Sequence, residues 1–410
     1  MTIETPGIKR LRKIQFGRET APGTAVAPTA LFRGLGTLKT DLPVTFADED
    51  VGYISGVDRT YIPYVGASLA LDPVPATFEQ FPLLGEMGIK QVQTGAADGA
   101  GSGKIYAYPL PTTSRHTIRT SSLEGGDDHQ MEKVAHVFAE EFKLTGEGKG
   151  AWMMSGTLRG QQRTVNTYTA STIAFVEGTK KITDSANGLA GFTTGMTIKI
   201  SGTTNNNGTY TVATGGVAAE IVVSETLVTE SAGSAFTVEQ TFTAVALATV
   251  EEMLFQKSKL YMDAVGGTLG GTQISKSFLS AEISIRTGWA AMWTGDGELY
   301  FSYIKMTEPE MLVSITYEHN GHATAEKAYW EAQTPRKGRI LIEGSALTTA
   351  GTTYSKKTVR IDWAGKWEDF DKIGEQDGND IITGSFRARY NATAGLFGNF
   401  TVVNALTSLT

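Results

Sequence analysis

The sequence contains no cysteine, which excludes a disulfide framework, a thiolate metal site and a cysteine nucleophile together. Charged residues are scarce at 19%, and prolines number only 12. No apolar run approaches the roughly 20 residues of a membrane-spanning helix. The chain does not open with a basic segment followed by an apolar one, so the expectation is synthesis and folding in the cytoplasm. Net positive charge is also missing: the formal charge of −7 argues against electrostatic capture of nucleic acid or an anionic membrane. What the chain does have is glycine, 47 residues of it, and much threonine. Little charge and many turn-formers suit an all-β chain better than a helical one. Its 410 residues suffice for two or three domains of roughly 100–200 residues each.

Residues 1–30 are polar and irregular, broken at Pro6-Gly7 and Pro22-Gly23, and read as an extended N-terminal arm. Residues 31–165 form a first lobe. Glycine-interrupted strands joined by a long loop run to Leu71, and a short helix follows over 76–89 with Pro82 inside it. By composition, residues 94–104 form a flexible loop. Val134, Phe138, Phe142 and Leu144 share one parity, while Lys133, Glu141 and Lys143 share the other, and Trp152, Met154 and Leu158 continue the alternation. That period of two predicts a hairpin over 132–160 with one buried face.

Residues 166–240 differ in texture, being rich in Thr, Gly, Ser and Ala, with Asn205-Asn-Asn-Gly208 as a turn between 196–200 and 209–212. They read as a small all-β, immunoglobulin-like module inserted into a larger domain. Residues 241–410 form a second lobe, with strands over 281–289, 298–306, 311–318, 337–347, 355–364, 381–391 and 396–403. One helix, 323–334, is stopped by Pro335. Each lobe has strands, one short helix, more strands, a Gly/Asp turn (125–128 and 377–380) and a final hairpin (132–160 and 381–403). This is the pattern of an internal duplication.

Sites for chemistry are hard to find. His319 and His322, with Glu318 and Glu326 near, form the best metal candidate, but the spacing is not that of a zinc helix and Asn320-Gly321 argues for a turn. Asp127-Asp128-His129 and the stretch Asp371 to Asp380 do not match a calcium loop. Gly103-Lys104 fails as a phosphate loop, because Asp98 and Ile105 stand where Gly and Ser or Thr are needed. The glycines of 266–272 have no lysine, no Gly-x-Ser-x-Gly elbow occurs, and no carboxylate pair stands out among 43 acids. Trp289, Trp293, Trp330, Trp363 and Trp367 read as core or interface anchors before they read as sugar-stacking surfaces. No catalytic, cofactor-binding or metal residue is therefore assigned, and the expectation is a non-enzymatic assembly subunit. The more remote alternative is a carbohydrate-active β enzyme.

The opening Gly17-Arg-Glu-Thr-Ala-Pro-Gly-Thr-Ala-Val26 resembles the start of tail tube (major tail) proteins of long-tailed bacteriophages. Similar too are Tyr106-Ala-Tyr-Pro-Leu110, Thr117-Ile-Arg-Thr120, Gly125-Gly-Asp-Asp-His129 and the hairpin 132–160. The inserted stretch is similar to small β modules of phage structural proteins at Ile182-Thr-Asp184, Gly195-Met-Thr-Ile198 and Asn207-Gly-Thr-Tyr-Thr-Val212. The resemblance implies a β-sandwich or barrel flanked by a short helix, in protomers that join sheets around a channel and stack as rings. Three two-lobed copies or six single-lobed ones would complete a ring. The implied partners are further copies of the chain, a tape-measure protein in the lumen, terminator and tail-tip proteins at the ends, and viral DNA that passes without sequence-specific binding. The implied location is the virion tail, and the alternative within the same resemblance is another phage structural protein (a head decoration, tail-tip or receptor-binding adhesin). Residues 1–30, 36–66 and 94–104 are expected to make ring-to-ring contacts, with the inserted module outside.

Overall fold

The computed structural model describes residues 8–127, 130–164, 166–370 and 373–409. It is mainly β, built from antiparallel sheets, with two α-helices among the described residues. The chain divides into two compact units, one formed by 1–33, 121–136 and 161–248, the other by 34–120, 137–160 and 249–410. This division cuts across the linear boundaries expected from sequence, because one long strand leaves the first unit and continues in the second.

The first part of the chain supplies strands β1 (Lys13–Arg18), β2 (Ala30–Phe32), β3 (Gly36–Asp41), β4 (Thr45–Phe46), β5 (Thr60–Tyr61) and β6 (Gly66–Pro75). Helix α1 (Phe81–Gly88) follows, then β7 (Ala96–Ala97), β8 (Lys104–Pro109), β9 (Ser121–Gly126), β10 (Met131–Glu147), β11 (Met153–Gly160) and β12 (Arg163–Thr164). Pro82 lies in the first turn of α1, where its missing N–H costs nothing, and not inside the helix as the sequence suggested. The predicted 132–160 hairpin is β10 with β11, paired from Phe138↔Arg159 to Thr145↔Met153.

The expected extended arm differs from the structure. Its strand β1 pairs with β2 and with β9, and Ile14 and Phe16 are buried. Six residues are too short a run for period-two alternation to stand out against a polar background, so burial here was not legible. The 94–104 loop is likewise no free loop. The buried Asp98 carboxylate accepts from the N–H groups of Thr353 (2.9 Å) and Tyr354 (2.7 Å), tying it to a second loop.

The inserted module forms a seven-stranded sheet from β13 (Thr167–Ala170), β14 (Ile173–Val176), β15 (Lys181–Asp184), β16 (Thr197–Ser201), β17 (Gly208–Thr214), β18 (Glu220–Val223) and β19 (Phe236–Thr241), in the order 13-19-16-17-18-15-14. Ile173, Phe175, Ile198, Val212, Ile221 and Val238 belong to its own closed core. Its ends lie side by side: Gln240 N–H donates to the Asn166 carbonyl at 2.8 Å, and Asn166 Nδ2 donates to Gln240 Oε1 at 2.9 Å.

The remaining strands are β20 (Ser258–Ala264), β21 (Gln273–Ile274), β22 (Phe278–Arg286), β23 (Trp289–Met292), β24 (Tyr303–Met306) and β25 (Glu310–Glu318). After helix α2 (Gly321–Glu331) come β26 (Arg336–Ala346), β27 (Lys356–Phe370), β28 (Gly374–Gln376), β29 (Asn379–Ala388) and β30 (Gly398–Asn404). Within the second unit one sheet runs β3-β6-β11-β10-β22-β25-β29-β27. Another runs β21-β20-β26-β27-β30-β8-β7, and β27 belongs to both. Aromatic side chains join the sheets: Phe142 of β10 meets Phe400 of β30 at 6.2 Å between ring centres, with Phe81 of α1 within 5.9 Å of both. Trp363 and Phe386 make a second such contact at 6.3 Å.

The ladder order repeats along the chain, in the pattern an internal duplication would leave. The run β2-β1-β9-β10-β12 in the first unit has the same order, strand for strand along the chain, as β21-β20-β26-β27-β30. In the same way β3-β6-β11-β10 matches β22-β25-β29-β27, with α1 and α2 at corresponding places. Register and residues agree. Ser155-Gly-Thr-Leu-Arg-Gly160 of β11 matches Thr383-Gly-Ser-Phe-Arg-Ala388 of β29, and Ala139-Glu-Glu-Phe142 of β10 matches Trp367-Glu-Asp-Phe370 of β27. A bulge interrupts each strand pair at the same point, beside Glu140 and Glu368.

Candidate functional site

None of the sequence candidates for chemistry converges on a site. Asn320 caps α2, its side-chain oxygen accepting from His322 N–H at 3.0 Å, so the His319–His322 stretch is a strand-to-helix turn. Glu326 is buried away from solvent and engaged: Arg336 Nη2 donates to its Oε1 at 2.5 Å and Trp367 Nε1 to its Oε2 at 2.9 Å. Among the described residues, no three His, Asp or Glu side chains are grouped to hold a metal ion. Asp128, His129 and Asp371 lie outside the described residues. Asp377 and Gly378 both take positive φ, as a tight hairpin turn between β28 and β29 requires. Lys104 begins a paired strand. The 266–272 loop wraps the Asp263 carboxylate, which accepts from Gly270 and Thr272 N–H at 2.8 Å each. Trp363 and Trp367 are core, Trp289 is buried, and Trp293 stacks on Tyr64 at 5.2 Å between ring centres. No exposed row of tryptophans results.

What the fold does present is a junction and its unpaired counterparts. Between the two halves of the duplication, β10 pairs with β22 from Glu141↔Arg286 to Glu147↔Ser280. The Lys143–Glu282 ion pair, 2.6 Å, crosses this junction, and the Glu140 carbonyl accepts from Thr287 N–H at 2.9 Å at its end. By the duplication, β27 is the counterpart of β10 and β3 the counterpart of β22. Beyond its pairing with β6, β3 has no strand on its other edge among the described residues, and the Asp369–Phe370 end of β27 and the short β28 pair only with β29. The Glu368 carbonyl, counterpart of that of Glu140, accepts from Trp330 Nε1 of α2 at 3.1 Å.

The ion pairs that hold these edges repeat as well. Arg159 Nε donates to Glu140 at 2.5 Å and Arg387 Nε to Glu368 at 2.9 Å. Burial lowers the proton affinity of Arg159, but the Glu140 carboxylate outweighs it and the net shift is upward. Arg387 is raised chiefly by its hydrogen bond to Glu368.

A pair of hairpins repeats too. β4 pairs with β5 through Thr45↔Tyr61 and Phe46↔Thr60, and β23 with β24 through Ala290↔Lys305 and Ala291↔Ile304, the counterpart register. The two behave differently. Trp289 and Phe301 of the second hairpin are buried against Ile118 and Phe138, and Val65 N–H donates to the Leu299 carbonyl at 2.8 Å. The first hairpin instead exposes Leu42, Val44, Phe46, Val51, Tyr53, Ile54 and Tyr61. Composition pointed to this stretch as a long loop but carried no sign of its unburied apolar surface. No helix among the described residues is long and apolar enough to cross a membrane. No family model matches the chain, and no curated protein matches it.

Proposed function

We propose that the chain is a structural subunit that self-assembles into stacked rings forming a hollow bacteriophage tail tube, through which DNA passes on ejection. One observation supports this reading: the chain contains a strand-to-strand junction, β10 with β22, and among the described residues no strand pairs with the outer edge of β3 or with the corresponding edge of β27 at Asp369–Phe370. Open edges are an aggregation hazard unless a partner covers them. Two different edges that complement each other make a head-to-tail contact, and repetition of such a contact closes into a ring or extends as a filament.

In the register of the internal junction, Phe370 of one copy comes opposite Thr40 of the next, and Asp369 opposite Asp41. Arg159 already lies 3.3 Å from Asp41, and Lys39 stands on the diagonal to Asp369, so the carboxylates are offset. The formal charge of −7 suits a channel in which DNA slides without sticking. The 42–64 hairpin, with its exposed apolar residues, is left for contacts between copies. The loop 94–104, tied within the chain through Asp98, is a weaker candidate for that role.

Negative-stain electron microscopy of concentrated protein tests the reading. Hollow tubes or rings are expected, with end-on averages deciding between three copies and six. A monodisperse particle without a channel at every concentration tried, followed by specific glycan binding, would favour a receptor-binding virion protein instead.

A further inference from the structure

We infer that the β4–β5 hairpin of one copy seats in a groove on the adjacent copy of the same ring, lined by Gln333, Pro335, Lys366, Trp367, Arg389 and Tyr390. This rests on the assembly reading above and adds a contact that the reading does not require. The argument starts from the two hairpins. They share register and position in the duplication, yet only the second has found its seat, over Phe138 and Ile118 of the preceding lobe. Alignment of the bulges beside Glu140 and Glu368 makes Lys366 the counterpart of Phe138, since Phe138 pairs with Arg159 as Lys366 pairs with Arg387. The seat for the first hairpin is therefore around Lys366 of whichever lobe precedes it. Among the described residues the first hairpin meets no such seat, and a second copy of the chain would supply it.

That place in the second lobe is an open groove of about 400 Å³. Its walls carry apolar surface from Pro335 and the half-exposed Tyr390, and its rim carries Lys366 beside Arg387, which is ion-paired to Glu368 and Glu310, and Arg389, which is ion-paired to Glu308. The hairpin brings complementary chemistry. Between Leu42 and Tyr64 it carries Asp48, Glu49, Asp50 and Asp58 against the single Arg59, together with its exposed apolar residues. The presence of Lys366 where the first lobe has Phe138 fits this difference, because the hairpin that seats over Phe138 presents Trp289 and Phe301 while the acidic hairpin would meet the Lys366 ammonium.

Because the chain lacks cysteine, a pair of introduced thiols reports the contact without background. Val44 is the counterpart of Trp289, so the variant Val44→Cys/Lys366→Cys is assembled and then oxidised. The expected result is a ladder of covalent multimers under denaturing, non-reducing conditions, absent from either single variant. Tubes or rings of the double variant that dissolve to uncrosslinked monomers would overturn the inference and leave the assembly reading standing. Failure of the unmodified chain to assemble at any concentration would overturn both. If the double variant alone does not assemble, charge exchange decides: Asp48→Lys/Asp50→Lys should impair assembly, and adding Lys366→Glu should restore it. Impairment without restoration would overturn the inference.

Discussion

His136 carries more of the strand crossing than its surroundings announce. It sits in β10 with φ of +56, a left-handed conformation that histidine and asparagine tolerate better than most residues. Its N–H donates to Glu19 Oε1 at 2.8 Å, and its ring is buried. Burial pushes its pKa down from the ordinary 6.5 to about 4. Between those two values the unfolded chain binds a proton that the folded chain refuses, so stability rises with pH across that window and is lost as pH falls through it. His136→Asn keeps the backbone conformation and removes the titration. Urea unfolding should show the parent chain losing roughly 2 kcal/mol more than the variant between pH 7 and pH 5. Equal losses would mean that the imidazole is solvated. The counterpart strand β27 makes its crossing with Gly365 instead, where a Cβ would come 2.2 Å from the Arg387 carbonyl oxygen. Histidine in one copy and glycine in the other hid this equivalence from any reading of the sequence.

At the scale of elements, strand β3 is the most consequential for assembly because its outer edge is open. Successive N–H groups of a strand point to opposite edges, so of Lys39→Pro and Thr40→Pro only one removes a donor from the open edge. That variant should fold and fail to form rings or tubes. The other loses a hydrogen bond to β6 and should be destabilised. If the folded variant still assembles, β3 does not pair between copies. Most strands of this kind were legible in the sequence because period-two alternation survives wherever one face is buried, as in β10, β25 and β29. The helices were legible to within a few residues from Pro82 and Pro335. Three things were not. The burial of β1 was masked by its shortness. The divided membership of β10 and β27 depends on pairings between residues far apart in the chain, which composition does not encode. Of the repeat, the order of elements was legible but the matched positions were not: Gly156 with Gly384, Arg159 with Arg387 and Phe142 with Phe370 correspond only once the ladders are laid side by side.

For the molecule as a whole, the inserted module is the part that can be removed. Its core is its own, and its two ends are hydrogen-bonded neighbours, so replacement of 166–240 by a short Gly-Ser bridge leaves few strands without partners. The shortened chain should stay soluble and keep its ability to form rings or tubes, checked by light scattering and electron microscopy. Insolubility would show that the module is part of the folding core. The tandem arrangement has a further consequence. With two lobes on one polypeptide, every second junction of the proposed ring would already be closed when the chain leaves the ribosome, at an effective concentration that separate single-lobed chains would have to match by abundance. It also releases the two lobes from identity. One carries a large appendage and an acidic hairpin while the other keeps the groove around Lys366, so the proposed assembly would acquire an alternating exterior without needing a second gene product.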